Sequence, residues 1–424
     1  MELDTGVTAW MLTSASLVLL MTPGLALFYG GMVRGKSVLN MMMMSFGAMA
    51  VVGVIYVLWG WSMSYGSSVG GLFGNPLEQF GLSGTILDDA GEFVLSDGLP
   101  VIVDVGFQAT FAIITVALIS GAIADRVKFG TWLVFAGLWA TLSYFPLSHM
   151  VWGGGLLSDE GPFVFGDAAP IDFAGGTVVH INAGVAALVL ALIVGKRKGF
   201  GTEPMRPHNL PLVMLGAALL WFGWFGFNGG SAYGADGAAG LAWVNTTTAT
   251  AAAILGWLVT EKLRDGSATS LGAASGVVAG LVAITPAAGD VHPVGAIVIG
   301  LVAGALSALA VGLKYKFGYD DSLDVVGVHL VAGLWGTVSL GFLATETGLF
   351  YGGGAAQLAV QVIIAVIAIA ISAVVTLVIA LALKATMGWR VPEEDEVGGI
   401  DLAVHGETAY ETIQQGSVIK EVRA

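Results

Sequence analysis

Cysteine is absent from this chain of 424 residues, which excludes disulfides, thiolate nucleophiles and cysteine-ligated metal sites. Charged residues are also scarce, at 11% of the sequence, whereas hydrophobic residues make up 56% and the mean hydropathy is +0.85. A chain with so few charges cannot cover a folded surface with polar side chains. Much of its surface must therefore face lipid, and we expect a membrane protein.

Patterns of metal ligands are missing as well. The sequence has no His-Glu-x-x-His motif, and its histidines do not occur at metal-ligand spacing. The amino terminus, Met1-Glu2-Leu3-Asp4, is acidic where a signal peptide carries Lys or Arg. We expect no enzyme, no cofactor, no metal and no nucleic-acid partner. We also expect the first apolar run to be retained as a helix.

Apolar runs long enough to cross a bilayer recur along nearly the whole chain. A membrane helix needs about 20 apolar residues. By that criterion we predict eleven transmembrane spans, at residues 7–33, 38–65, 100–124, 129–152, 173–195, 209–230, 240–262, 269–287, 292–314, 326–345 and 354–388. The sequence thus predicts an all-α polytopic membrane domain over residues 1–388 and a polar cytoplasmic tail over residues 389–424. That tail could dock on the protein itself or on a partner.

The distribution of Lys and Arg predicts the orientation, because these residues favour the cytoplasmic side. If the amino terminus is outside, all 16 basic residues fall in cytoplasmic segments. They are Arg34, Lys36, Arg126, Lys128, Lys196, Arg197, Lys198, Arg206, Lys262, Arg264, Lys314, Lys316, Lys384, Arg390, Lys420 and Arg423. The opposite segments carry Asp and Glu without a basic residue, which indicates either a cation-attracting vestibule or a solvated acidic surface. We predict the N-terminus outside and the C-terminus inside.

Two short segments resemble each other and carry a histidine at the same place. Val179–Gly184 reads Val-His-Ile-Asn-Ala-Gly and Val328–Gly333 reads Val-His-Leu-Val-Ala-Gly, with His180 on span five and His329 on span ten. A set of five spans reverses direction when it is repeated, so we predict a five-plus-five inverted repeat followed by a long eleventh helix. A histidine in lipid needs a partner or a polar cavity. The pair therefore either lines a pore or holds neighbouring helices together.

Aromatic residues gather near the predicted outer ends of spans three, four and six. With one serine they are Phe107, Phe111, Tyr144, Trp152, Trp224, Phe227 and Ser231. Ring faces attract cations and a hydroxyl adds a hydrogen-bond acceptor, whereas Trp and Tyr also form an interfacial belt in any membrane protein. Asp172 begins span five, where a carboxylate caps the first turn and complements the helix dipole. We expect that structural role first and an electrostatic effect on a nearby cation second.

Long motifs in the chain resemble the signature of the Amt/Mep/Rh ammonium transporter family, and its bacterial and archaeal Amt branch best. The matching segments are Asp172–Gly184, Ser148–Gly155, Pro207–Pro211, Gly223–Ser231 and Asp324–His329. The resemblance covers about residues 7–412. It implies a homotrimer in the cell membrane, in which each subunit has its own pore.

The resemblance also implies a role for each matching residue. Phe111, Trp152 and Ser231 would bind ammonium at the outer face, supported by Asp172. Phe111 and Phe227 would form a stacked gate, with Phe107, Tyr144 and Trp224 nearby. His180 and His329 would be paired pore histidines that relay a proton. The segment Gly399–Tyr410 resembles a regulatory tail, which implies a cytosolic PII-type (GlnK-like) partner.

Transport of ammonium is the function that these patterns predict. A bare cation in an apolar pore costs many kcal/mol, so we expect ammonium to deprotonate near the gate and ammonia to cross past the histidines. Methylammonium would be accepted as an analogue. Whether the proton follows is left open. The alternatives are a passive gas channel for ammonia or carbon dioxide of the Rh type and an ammonium sensor that signals through its tail.

Overall fold

The computed structural model of the protein is almost entirely helical and describes residues 2–410. Met1 and residues 411–424, with Lys420, Arg423 and the end of the predicted tail, lie outside the described residues. The long helices are α1 (Thr5–Met32), α2 (Val38–Tyr65), α3 (Val101–Ile123), α4 (129–152), α5 (Gly176–Val194), α6 (Leu210–Gly230), α7 (Gly237–Asp265), α8 (Ser270–Ala287), α9 (Pro293–Phe317), α10 (Val326–Leu343) and α11 (Ala356–Thr386).

The remaining elements are short. Between α2 and α3, strand β1 (Ser68–Val69) pairs antiparallel with β2 (Phe73–Gly74), and β3 (Leu95–Ser96) pairs with β4 (Leu99–Pro100). Single 3₁₀ turns cover Phe80–Leu82 and Leu349–Tyr351. The tail contains helix α12 (Glu393–Gly398) and a π-helical turn (Asp401–His405).

Within the described residues, nine of the long helices are long and apolar enough to cross a membrane. Helices α4 and α7 fall outside that set. Helix α7 is rich in threonine, but the hydroxyl groups of Thr246 and Thr250 donate to the carbonyl groups of Ala242 and Thr246, at 2.6 and 2.7 Å. Such bonds pair polar side chains within their own helix. The chain is therefore a multi-pass membrane protein, whereas eleven spans and the orientation stay predictions.

Small residues produce very close packing between α7 and α9. Cβ atoms built onto Gly300 and Gly304 of α9 would lie 2.0 Å from the carbonyl oxygens of Ala249 and Ala253 on α7. The two backbones are therefore in direct contact over a full turn of each helix. Helices in lipid have no hydrophobic driving force to associate, so such van der Waals contact is a main source of their attraction.

Helices α5 and α10 open in the same unusual way. Each begins with a π-helical turn, at Gly176–Ile181 and at Val326–Leu330, and each turn contains one of the two predicted pore histidines. π-Helical turns are rare overall, but many of those that occur lie at functional sites. A carboxylate precedes each histidine by the same spacing, Asp172 in one case and Asp321 in the other. This local match fits two related halves, while the full inverted repeat stays a prediction.

Buried ion pairs join the connections at the end of the helices that carries Lys and Arg, called here the basic end. Arg197 donates to both carboxylate oxygens of Asp320, at 2.9 Å each, and to Asp125 at 3.2 Å. Arg34 reaches the same Asp125 carboxylate at 3.1 Å. Bidentate Arg–carboxylate pairs are strong and geometrically specific. The connections that follow α1, α3, α5 and α9 therefore form one cross-linked surface.

The first part of the tail lies on this basic end. The Trp389 side chain is buried and its indole N–H donates to the carbonyl oxygen of Ala380 at 2.9 Å. The Asp401 carboxylate accepts the backbone N–H groups of Leu39 and Asn40, at 3.0 and 2.8 Å, and so caps the start of α2. The sequence left open whether the tail docks on the protein itself or on a partner. In the structure, residues 389–410 lie on the protein itself.

We predict that Gly300→Ala separates α7 from α9 and destabilises the protein, because its new methyl group has no room beside the backbone of Ala249. Overpacking of this kind costs about 1–3 kcal/mol. Thermal unfolding of detergent-solubilised protein should show a lower midpoint. Gly240→Ala is the matched control, since a Cβ at Gly240 on the same α7 meets no atom within 4 Å. Equal midpoints for the two variants would contradict the packing argument.

Candidate functional site

A cavity of about 760 Å³ opens at the other end of the helices, called here the acidic end. Its lining includes the carboxylates of Asp97, Asp104, Asp159, Asp172 and Asp290. None of the described residues that line it is basic. Burial, with Glu346 and Asp172 nearby, raises the pKa of Asp290 to about 6. With five aspartates and no basic residue among the described residues of its lining, the cavity favours a cation over an anion.

Three of the predicted ammonium-binding side chains meet at the floor of this cavity, namely Phe111, Trp152 and Ser231. The rings of Trp152 and Phe111 stand perpendicular, at 89°, with their centroids 6.2 Å apart. The Ser231 hydroxyl donates to the carbonyl oxygen of Phe227 at 2.8 Å, which leaves its lone pairs free to accept. Two ring faces and one hydroxyl acceptor suit a small cation that carries N–H donors.

A stacked pair of phenylalanine rings closes the floor. Phe111 and Phe227 lie 4.0 Å apart at an angle of 15°, and both side chains are buried. Phe107 packs edge-on against Phe111 at 4.8 Å, and Trp224 lies 5.3 Å from Phe227. Phe107, Phe111, Phe227 and Trp224 therefore form one contiguous group of rings.

The two histidines lie on the far side of the stacked pair. The Nδ1 atoms of His180 and His329 are 3.3 Å apart, and the exposed fractions of the two residues are 0% and 3%. His180 stacks on Trp224 at 5.5 Å. A neutral imidazole has one donor and one acceptor nitrogen, so one Nδ1 carries the shared proton and the other accepts it. One Nε2 is then an acceptor and the other a donor, which matches ammonia, a molecule that both donates and accepts.

Two glycines allow the histidines to approach each other. Gly184 follows His180 by four residues and Gly333 follows His329 by four residues. A Cβ on Gly184 would lie 2.6 Å from the backbone nitrogen of Leu330, and one on Gly333 would lie 2.8 Å from the Cβ of His180. The contact is reciprocal, since each helix presents its glycine to the histidine region of the other. The sequence that Val179–Gly184 and Val328–Gly333 share is therefore a packing motif that brings the two histidine rings together.

Asp172 organises the start of α5. Its carboxylate accepts the backbone N–H groups of Gly175, Gly176 and Thr177 at 2.8, 2.5 and 2.8 Å, and it also accepts the Thr177 hydroxyl. Gly175 has φ +117°, a conformation that a side chain would strain. The backbone oxygen of Asp172 accepts the indole N–H of Trp152 at 2.9 Å. Asp172 therefore holds both the first turn of α5 and the orientation of Trp152.

Asp321 has the equivalent place before α10, and we did not single it out from the sequence. Its carboxylate accepts the backbone N–H groups of Val325 and Val326, at 3.1 and 2.7 Å. Each carboxylate stands eight residues before its histidine. A comparison of the two similar segments that began eight residues before each histidine would therefore have found Asp321. Tyr144, another predicted gate residue, is buried in a π-helical turn of α4, and its ring packs against Phe145 of the same helix at 6.1 Å.

Comparison with known proteins agrees with this geometry. A sequence profile of the Ammonium Transporter Family matches residues 9–410. An ammonium transporter from Mycobacterium tuberculosis is 56% identical over 441 residues, which cover 98% of this chain and 92% of that protein. One from Aquifex aeolicus is 49% identical over 419 residues, covering 96% and 94%.

Solved structures are similar as well. The crystal structure of Candida albicans Mep2 aligns with a TM-score of 0.83 at 31% identity, over 93% of this chain and 88% of that chain. A structure described as a sensor Amt protein aligns with a TM-score of 0.83 at 28% identity, over 94% and 98%. The profile, the relatives and the shared fold lead to one conclusion: the chain belongs to the ammonium transporter family.

Proposed function

We propose that ammonium enters the acidic cavity, binds between Trp152, Phe111 and Ser231, and gives up its proton at the stacked rings to the unprotonated Nε2 of the histidine pair. Ammonia then passes Phe227 and reaches the Nε2 atoms of the histidine pair, and the proton moves separately along the two imidazoles. The desolvation cost of an ion of this size is several kcal/mol even after relaxation. Splitting the cation into a neutral molecule and a relayed proton avoids that cost.

One observation carries this proposal, a continuous line of ring contacts from the cavity to the histidines. Phe111 lies 6.2 Å from Trp152 and 4.0 Å from Phe227, and Phe227 lies 6.3 Å from His180. His180 lies 5.5 Å from His329. The hydroxyl acceptor and the ring faces favour a cation at the entrance, which a passive gas channel for ammonia or carbon dioxide does not need.

The relay predicts that His180→Ala and His329→Ala each abolish ammonium-driven current, because each removes one partner of the Nδ1–Nδ1 hydrogen bond. Solid-supported-membrane electrophysiology with an ammonium jump, at several pH values, measures the current. His292→Ala is the control, since His292 is exposed and lies outside the ring line. Wild-type currents in both pore variants would rule out the relay.

We further propose that the chain crosses the cell membrane eleven times as a five-plus-five inverted repeat plus α11, with its N-terminus outside. Helix α7 supports this count, because the hydroxyl groups of Thr246 and Thr250 are bonded within the helix. In this orientation the cavity faces the medium and the basic end faces the cytosol, as the preference of Lys and Arg for the cytosol requires. Three copies would assemble as a homotrimer, each with its own pore.

The absence of cysteine makes the orientation directly testable. Ala90→Cys places one thiol in the exposed connection between α2 and α3, and Ser267→Cys places one in the exposed connection between α7 and α8. A membrane-impermeant maleimide added to intact cells should label Ala90→Cys and not Ser267→Cys. Cell lysis should make both reactive, and the wild-type chain gives no background. The reverse labelling pattern would overturn the proposed orientation.

The docked tail favours a second role, regulation or sensing. Glu396 accepts from Arg390 at 2.5 Å and from the backbone N–H of Lys198 at 2.7 Å, and the Tyr410 hydroxyl lies 2.9 Å from Nε2 of His208. The tail thus bridges connections that are distant in sequence. We propose that a cytosolic PII-type (GlnK-like) protein reads this surface and blocks the inner mouth. A sensor in which transport is secondary is the competing function.

A chain that ends after Pro392 separates these roles, because it keeps the buried Trp389 and removes the docked segment. We expect it to retain methylammonium uptake and to lose co-purification of a PII-type protein. Glu394→Ala, an exposed position in the tail, is the control and should retain both. Loss of uptake by the folded, shortened chain would contradict a transport domain that works without its tail.

A further inference from the structure

A polar group at the side of the cavity takes no part in the mechanism above. Asp104 and Gln108 are one helical turn apart on α3, and both line the cavity with Tyr233. The Tyr233 hydroxyl lies 2.7 Å from Oδ1 of Asp104 and 2.6 Å from Nε2 of Gln108. The Tyr233 ring packs edge-on against Phe107 at 5.8 Å. The three side chains therefore form a fixed group, called here the side niche.

The directions of these hydrogen bonds follow from the number of protons. The Tyr233 hydroxyl has one proton, which it donates to Oδ1 of Asp104. Gln108 must then donate its amide N–H to the hydroxyl oxygen, which leaves Oε1 as its other polar atom. Gln108 is only 6% exposed, and its Oε1 has no hydrogen-bond partner among the described residues. A buried acceptor without a donor is costly, and Gln108 is one of the residues that line the cavity.

We propose that the side niche is a second ammonium site, which holds the cation before it reaches Trp152 and Ser231. Asp104 supplies the charge and Gln108 supplies a directed neutral acceptor, so an ammonium ion would satisfy both with two of its four N–H donors. Methylammonium retains three donors and also fits. This assignment rests on the proposed function and adds a capture step to it. When the ammonium ion at the ring site has been consumed, the ion held in the side niche takes its place there.

The test compares two carboxylates of one cavity. Asp104→Asn removes the charge of the niche, whereas Asp159→Asn removes the charge of an exposed residue that lines the same cavity. Loss of a charge-assisted hydrogen bond should raise the half-saturating ammonium concentration of the transient current about tenfold in Asp104→Asn. Asp159→Asn should change it less than about twofold, since exposed charges are screened by salt. The ionic strength is held constant.

A second variant keeps the test decisive if Asp104→Asn folds poorly. Gln108→Met keeps the length of the side chain and removes the free acceptor, so half-saturation should rise about threefold. Thermal unfolding checks the fold of each protein. Equal half-saturation in Asp104→Asn and Asp159→Asn, with a normal wild-type current, would overturn the niche and leave the proposed transport intact. No current in the wild-type protein would instead overturn the proposed transport.

Potassium serves as the competing ion. Inhibition of the wild-type current by potassium that disappears in Asp104→Asn would assign the niche to monovalent cations in general and overturn the ammonium assignment. Ammonium binding that depends on Asp104 while potassium has no effect supports it.

Discussion

A polar group without a partner inside a membrane costs several kcal/mol, and that constraint determines where the polar atoms of this protein lie. The hydroxyl groups of Thr246 and Thr250 on α7 donate hydrogen bonds to carbonyl oxygens of their own helix. His180 and His329 bond to each other, and this requires α5 and α10 to touch through Gly184 and Gly333. The histidine pair thus depends on a packing contact, and the packing contact depends on residues that have no side chain.

The same constraint bears on the proposed mechanism. Carboxylates, a hydroxyl and ring faces line the cavity and favour a cation there. Beyond Phe111 and Phe227 lie Trp224 and the imidazoles of His180 and His329, and in the proposed mechanism this region takes neutral ammonia. The burial cost of a cation rises between the two regions, which favours the proposed proton loss at the stacked rings. In that mechanism the stacked rings are a chemical boundary as well as a steric one.

Much of this arrangement follows from local sequence patterns, and the rest does not. Apolar runs predicted span five at residues 173–195, and α5 extends from Gly176 to Val194. The likeness of Val179–Gly184 to Val328–Gly333 located both histidines, because the two segments share local chemistry. The 4.0 Å stack of Phe111 on Phe227 joins two helices that no local pattern connects. The free acceptor of Gln108 follows only from the position of Tyr233, which has the rare backbone angle φ +53° in a loop.

Two neighbouring carboxylates link the tail surface to the pore. Asp320 is held by Arg197, whose neighbour Lys198 donates its backbone N–H to Glu396 of the tail. Asp321 caps the turn that carries His329. Asp320 and Asp321 are adjacent in sequence, so a short series of hydrogen bonds joins the docked tail to the turn that carries His329. Contacts of the tail and support of the histidine pair therefore meet at one place in the chain, although cavity and tail lie at opposite ends of the helices.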